Sequence, residues 1–160
     1  MKKISLLTVL LAVAAASHAE IPSQRVLPLA LANQLAGQAV ATCQDKGFAV
    51  SATVVDRAGQ IKAVQRADNA GPHTLDSSLR KAYTSASMKA ATSAILEIAQ
   101  KNPAAQHLGE IPGLLLLAGG VPVKVGNDVV GAIGVGGAPG GHLDEQCAQA
   151  ALDKSRALLK

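Results

Sequence analysis

The side chains best suited to chemistry are concentrated in one stretch, "AGPHTLDSSLRKAYT". His73 supplies an imidazole that can ligate a metal. Arg80 and Lys81 supply cations that can hold the carboxylates of an anionic ligand. Tyr83 and Thr84 add hydroxyl groups that donate and accept hydrogen bonds. Together these residues predict a binding site for a small anionic ligand.

Lys81 is the charged residue that most strongly suggests a function. It lies in a segment rich in Ala and Ser that is predicted to be helical, and a lysine buried on such a helix needs a partner or a ligand. His73 has two interpretations, a metal ligand or a solvent-facing loop residue at the start of this helix. His107 is interpreted as a surface residue on a loop.

A second candidate element is the glycine-dense stretch "AGGVPVKVGNDVVGAIGVGGAPGG". It does not match a dinucleotide fingerprint, because Pro139 stands where the third glycine belongs, and it lacks the Gly-Lys-Ser/Thr of a P-loop. Its glycines instead let strands or a ligand approach the backbone closely. We expect backbone amides here to face the same groove as the helix that carries Lys81. The glycines concerned are Gly119, Gly120, Gly136 and Gly137.

The remaining polar residues favour structural roles. His142 and Asp144 are spaced like two metal ligands, but a closed site takes more ligands and no third one is nearby. Asp144 is therefore predicted to be an acid in the first turn of a helix. Asp56 precedes a turn and is expected to bond the turn amides. The sequence contains no nucleophile elbow and no close pair of carboxylates, so no catalytic constellation is recognisable.

The amino-terminal sequence "MKKISLLTVLLAVAAASHA" combines two lysines, a short apolar run and small residues before the last alanine. This pattern predicts a secretory signal peptide over residues 1–19 and one periplasmic or secreted domain over residues 20–160. The apolar run is too short for a membrane span. Nucleic-acid binding is not expected, because the bases are scattered and the aromatic residues are only Phe48 and Tyr83.

The chain contains two cysteines, Cys43 and Cys147. An even number in an exported protein favours a disulfide over a metal-binding pair. Helical periodicity places Cys43 on the same face as Ala36 and Ala39, so its thiol is expected to point towards the core. Two buried free thiols are the alternative.

The order of predicted elements is a helix, a β-hairpin, two helices, three strands and a final helix. This order predicts an α+β domain with helices packed on an antiparallel sheet of about five strands. Apolar surface left uncovered by the alanine-rich helices predicts a homo-oligomer. The predicted strands are residues 48–56, 60–67, 114–120, 121–125 and 129–137.

Four segments, in their order and spacing, resemble the GlcG/HbpS-like family: "VVDRAGQI", "KAYTSAS", "LLLLAGGVPVKVGNDVVGAIGVGGAPGG" and "DEQCA". The similarity covers roughly residues 27–158 and is greatest to an exported branch with paired cysteines. Many members have Gly-Val-Ser-Gly where this chain has Gly-Val-Gly-Gly at residues 134–137. Any role of that serine hydroxyl is therefore missing here.

The resemblance implies a PAS- or profilin-like fold, homo-oligomerisation and a haem or tetrapyrrole ligand. His73 would then be the axial ligand, with Arg80 and Lys81 binding the propionates. The resemblance also implies weak haem degradation. The expected function is that of an exported small-ligand binder acting in scavenging, buffering or sensing, and the alternative is a cofactor-free accessory module that binds another protein.

Overall fold

The computed structural model describes residues 21–159, and the predicted signal peptide lies outside them. Within this range the α-helices are α1 (Leu29–Gln44), α2 (His73–Met88), α3 (Thr92–Lys101) and α4 (Gly141–Lys154). The strands are β1 (Ser51–Asp56), β2 (Ile61–Arg66), β3 (Gly120–Val125) and β4 (Asp128–Gly136). None of the helices in residues 21–159 combines the length and hydrophobicity that crossing a bilayer requires.

The four strands form one antiparallel sheet in the order β2-β1-β4-β3. Helices α1 and α4 pack together on one face of the sheet, and α2 packs on the other. The larger core lies beneath α1 and α4, where Val54, Ile133 and Val135 are fully buried. The predicted α+β class is confirmed.

A disulfide joins α1 to α4. Cys43 and Cys147 are both fully buried, with Cα atoms 5.6 Å apart and 104 residues between them in sequence. The predicted bridge is therefore confirmed. Closing a loop of this length lowers the entropy of the unfolded chain, which the loop-entropy account values at about 4–5 kcal/mol.

Helix α2 lies close to the sheet because both surfaces carry small residues. A Cβ atom at Gly134 would overlap the Ser78 carbonyl oxygen, so only glycine fits there. Hydroxyl groups then bridge the two layers: Thr53 Oγ1 lies 2.8 Å from Ser78 Oγ, and Ser51 Oγ lies 2.7 Å from Thr74 Oγ1. This face of the sheet is thus held by hydrogen bonds between small side chains as well as by apolar contacts.

The predicted strand over residues 114–120 is wrong, and the sheet has four strands rather than five. This segment is irregular up to its last residue. At Leu114 and Leu115, side chains of α2 bond the backbone in place of a neighbouring strand: Arg80 Nη2 donates to the Leu114 carbonyl at 2.7 Å, and Thr84 Oγ1 accepts from the Leu115 amide at 2.8 Å. The sequence of this segment could not show that these partners exist.

Candidate functional site

Lys81, which the sequence singled out, is 1% exposed. Its Nζ donates to Asp144 Oδ2 at 2.8 Å and to the Val135 carbonyl at 3.0 Å. The other carboxylate oxygen of Asp144 accepts from the Ala138 amide at 3.0 Å. In this structure the partner that Lys81 needs is therefore a buried carboxylate of α4. Contact of Lys81 with a ligand stays a prediction.

Burial raises the pKa of the Asp144 carboxyl, and the hydrogen bond and charge of Lys81 partly offset this effect. Asp144 does lie in the first turn of α4, as predicted. Since its carboxylate points to Lys81, it does not converge with the exposed His142 on a metal. Within residues 21–159, no group of three or more His, Cys, Asp and Glu side chains is arranged to hold a metal ion.

Four glycines of the predicted groove face protein atoms rather than open space. A Cβ atom at any of them would come within 3 Å of another part of the chain. Gly119, with φ 126°, and Gly137, with φ 130°, also adopt a backbone conformation that favours glycine. The predicted groove between these glycines and Lys81 is therefore closed by packing in this structure. The four are Gly119, Gly120, Gly136 and Gly137.

Two of the predicted site residues, Arg80 and Tyr83, do lie together on a cavity. This cavity has a volume of about 330 Å³ and lies between α2, the β1–β2 turn and a loop that follows α3. We call it the tyrosine cavity. Its volume falls in the range of small-molecule sites. Its lining residues are Gly59, Gln60, Ile61, Leu79, Arg80, Tyr83, Pro112 and Gly113.

The ring of Tyr83 fits between two glycines. A Cβ atom at Gly59 would lie 2.6 Å from one ring carbon, and one at Gly113 would lie 3.3 Å from another. Asp56 shapes the turn that carries Gly59, because its Oδ1 accepts from two turn amides at 2.9 and 3.0 Å. That role of Asp56 was predicted and is confirmed. The side chain of Tyr83 remains accessible, at 38% exposed.

Arg80 is anchored but still has donors to offer. One guanidinium nitrogen bonds to the Leu114 carbonyl, and another lies 3.9 Å from the Asp76 carboxylate. Because a guanidinium carries five N–H groups, several remain for a ligand. Thr84, in contrast, is buried, and its hydroxyl is used by the Arg80 carbonyl and the Leu115 amide. The structure gives Thr84 a structural role.

His73 is the first residue of α2 and is exposed. It does not line the tyrosine cavity. Seven residues, or about 10 Å of helix rise, separate it from Arg80, and ten residues, or about 15 Å, separate it from Tyr83. Its role as a metal ligand stays a prediction. His107 is exposed, with Nδ1 at 2.7 Å from Glu110 Oε1, as expected of a surface residue.

Sequence reasoning missed most of the walls of the tyrosine cavity. Leu79, Ile61 and the Pro112–Gly113 loop come from three separate parts of the chain. The available signal was a single tyrosine on an Ala- and Ser-rich helix, which has no neighbouring aromatic residue to pack against.

Comparison with known proteins assigns the chain to a family. Residues 27–153 match the family model described as "Haem degrading protein HbpS-like". An uncharacterised 15.0 kDa protein of Citrobacter freundii is 31% identical over 129 residues, covering 79% of this chain and 90% of that protein. Protein GlcG of Escherichia coli K12 is 34% identical over 109 residues, covering 66% of this chain and 80% of GlcG.

Solved structures agree with this assignment. A double mutant of HbpS from Streptomyces reticuli is 43% identical, with a TM-score of 0.78 over 89% of this chain and 96% of HbpS. The ORFY protein of Klebsiella pneumoniae is 33% identical, with a TM-score of 0.79 over 88% of this chain and 99% of that one. PduOC, solved as a complex with heme, shares the fold at 24% identity and a TM-score of 0.75, over 81% of this chain and 94% of PduOC. The chain belongs to the HbpS-like family, whose description is that of a haem degrading protein.

Proposed function

We propose that this protein binds haem or a related tetrapyrrole in the tyrosine cavity. The observation that carries the proposal is the pairing of Tyr83 with Arg80 on one largely apolar cavity. The family description and the heme complex of PduOC support a ligand of this type. Haem, when bound, would supply the iron and oxygen chemistry that its own degradation needs.

The residues of the cavity suit the parts of the ligand. The phenol oxygen of Tyr83 is a type of axial ligand known for haem iron. Arg80 keeps free N–H donors that can bind a propionate carboxylate. Leu79, Ile61 and Pro112 offer apolar surface to the macrocycle. The open cavity is small enough that part of the ligand would remain in solvent or be covered by another protein surface.

His73 offers a second axial ligand on the same helix. Seven residues are nearly two helical turns, so His73 and Arg80 lie on the same side of α2. A tetrapyrrole that lies along this side would contact His73 with its iron and Arg80 with a propionate. Tyr83 and His73 thus make competing predictions, which separate variants distinguish.

The experiment is a titration of haemin into the apo-protein, followed in the Soret band. We expect a saturable shift, a changed spectrum for Tyr83→Phe and weaker binding for Arg80→Gln. His107→Ala removes an exposed histidine outside the cavity and is the matched control for His73→Ala. Unsaturable binding, or wild-type spectra and affinities in the Tyr83, Arg80 and His73 variants alike, would show that the proposed site is wrong.

We further propose that the protein acts after export, in haem scavenging, buffering or sensing in the periplasm or outside the cell. The predicted signal peptide and the Cys43–Cys147 bridge support this location, because such bridges persist in oxidising compartments. Fractionation of cells that express the full chain tests it. The mature protein is expected in the exported fraction, cleaved near Ala19, and intact protein in the cytosol would contradict the proposal.

A second candidate function is that of a cofactor-free module that binds protein, including a second copy of itself. Exposed apolar residues along β2 and α2 favour it, since Ile61 is 54% exposed and Val64 and Leu75 are each 43% exposed. Light scattering at micromolar concentration is expected to give a mass above that of one chain. A monomer that still binds haemin would leave only the ligand-binding function.

A further inference from the structure

A second cavity, of about 640 Å³, lies where β3, the end of α2 and α4 meet. It is larger than the tyrosine cavity and shares no lining residue with it. We call it the basic cavity. Its apolar part includes Val121, Pro122, Leu152 and Leu159, and its cations are Lys89, Lys124 and Arg156.

Positive charge is in excess around this cavity. Lys89 and Lys124 also line an adjoining cavity of about 390 Å³ together with Arg57. Neither lysine forms an ion pair within residues 21–159, whereas Arg156 bonds to Asp153 at 2.8 Å. The charged residues of the two cavities are Arg57, Lys89, Lys124, Arg156, Asp128 and Asp153. Four cations against two acids create a potential that attracts anions.

Lys89 is also unusual in its backbone. It ends α2 with φ 55° and ψ 28°, in the left-handed region that glycine or asparagine normally occupies at a helix end. Glycine would relieve this strain but would remove the cation from the cavity. Strained residues of this kind concentrate at functional sites, so the lysine is best explained by a role for its charge.

The residues that line the basic cavity also limit the kind of molecule that can bind there. Pro122 has no N–H, so a strand added to the edge of β3 could not pair continuously there. Apolar side chains beside unpaired lysines instead suit a molecule with an apolar body and a carboxylate or phosphate group. We propose that the basic cavity binds a small amphipathic organic anion, at a site separate from the tyrosine cavity.

Three probes test this proposal by calorimetric titration. 1-Naphthyl phosphate has both the apolar body and the charge, 1-naphthol has only the body, and inorganic phosphate has only the charge. We expect wild-type protein to bind the ester more tightly than either fragment. The double variant Lys89→Gln/Lys124→Gln should bind 1-naphthyl phosphate roughly tenfold more weakly than wild type. Lys101→Gln, at a side chain 74% exposed and paired with Glu97 on α3, is the control and should bind normally.

The variant Lys89→Gly distinguishes an effect on ligand binding from an effect on folding stability. Because glycine prefers this backbone conformation, the variant is expected to be at least as stable as wild type while binding the ester more weakly. Haemin titration of the same variants should be unchanged, which keeps this site independent of the proposed haem function. Equal binding of 1-naphthol and its phosphate, or undiminished binding by both lysine variants, would overturn the proposal.

Discussion

Replacing Lys81 with methionine removes one half of the buried ion pair. The side chains of Lys81 and Asp144 are only 2% and 3% exposed, with Nζ and Oδ2 2.8 Å apart. Without the ammonium group the Asp144 carboxylate is left buried beside no cation, and the Val135 carbonyl loses a donor. Breaking a buried pair in this way costs about 3–5 kcal/mol of unfolding free energy. For a domain of this size the melting temperature should fall by roughly 10 °C.

The assay is urea unfolding, followed by circular dichroism, of a double-mutant cycle. Its members are wild type, Lys81→Met, Asp144→Asn and the double variant. Asparagine retains an oxygen to accept from the Ala138 amide, so the cycle isolates the charge pair. Because the two side chains are in contact, the double variant should cost less than the sum of the single variants by about 0.5–3 kcal/mol. Lys101→Met, at an exposed position, should change stability by less than about 0.5 kcal/mol.

Two results would refute this reasoning. If Lys81→Met unfolds at the same urea concentration as wild type, or if the single costs simply add, then the pair does not hold α2 to α4. If Lys81→Met were stable but had lost haemin binding, that result would instead support the prediction from the sequence that Lys81 contacts a ligand.

Three further predictions concern the fold. The mature protein, denatured without reductant, should show no reactive thiol, and replacing both Cys43 and Cys147 with alanine should lower its stability by about 2–5 kcal/mol; reactive thiols would disprove the bridge. Gly134→Ala should cost about 1–3 kcal/mol in urea unfolding, because its Cβ must push α2 away from the sheet; wild-type stability would mean that the helix yields freely. Thr84→Val should speed hydrogen exchange at the Leu115 amide, which loses its acceptor; unchanged exchange would show that this hydrogen bond does not hold the segment.

The features that sequence reasoning predicted well are those that local patterns determine. The hairpin of β1 and β2 follows from alternating apolar residues around a turn, and Asp56 bonds the turn amides as its position before the turn suggested. The disulfide follows from the number of cysteines and the expected compartment. In each case the evidence lies in one short segment or in composition.

The features that sequence reasoning did not predict depend on partners far apart in sequence. Lys81 was recognised as a charge in need of a partner, but Asp144 is 63 residues away and looked like an ordinary first-turn acid. The segment over residues 114–120, predicted as a strand, instead has its backbone at Leu114 and Leu115 bonded by Arg80 and Thr84. The tyrosine cavity likewise forms only when Gly113 is brought beside Tyr83. Hydrophobic periodicity along the chain gives no information about these contacts between distant residues.

The most direct test of the haem proposal is to locate the ligand by NMR. Paramagnetic haemin broadens nearby amide signals, and a gallium protoporphyrin of the same shape provides the diamagnetic reference. We predict broadening centred on the amides of Gly59, Ile61, Tyr83 and Gly113, which surround the tyrosine cavity. Broadening centred on Lys89 and Lys124, or spread evenly over the protein, would contradict the account.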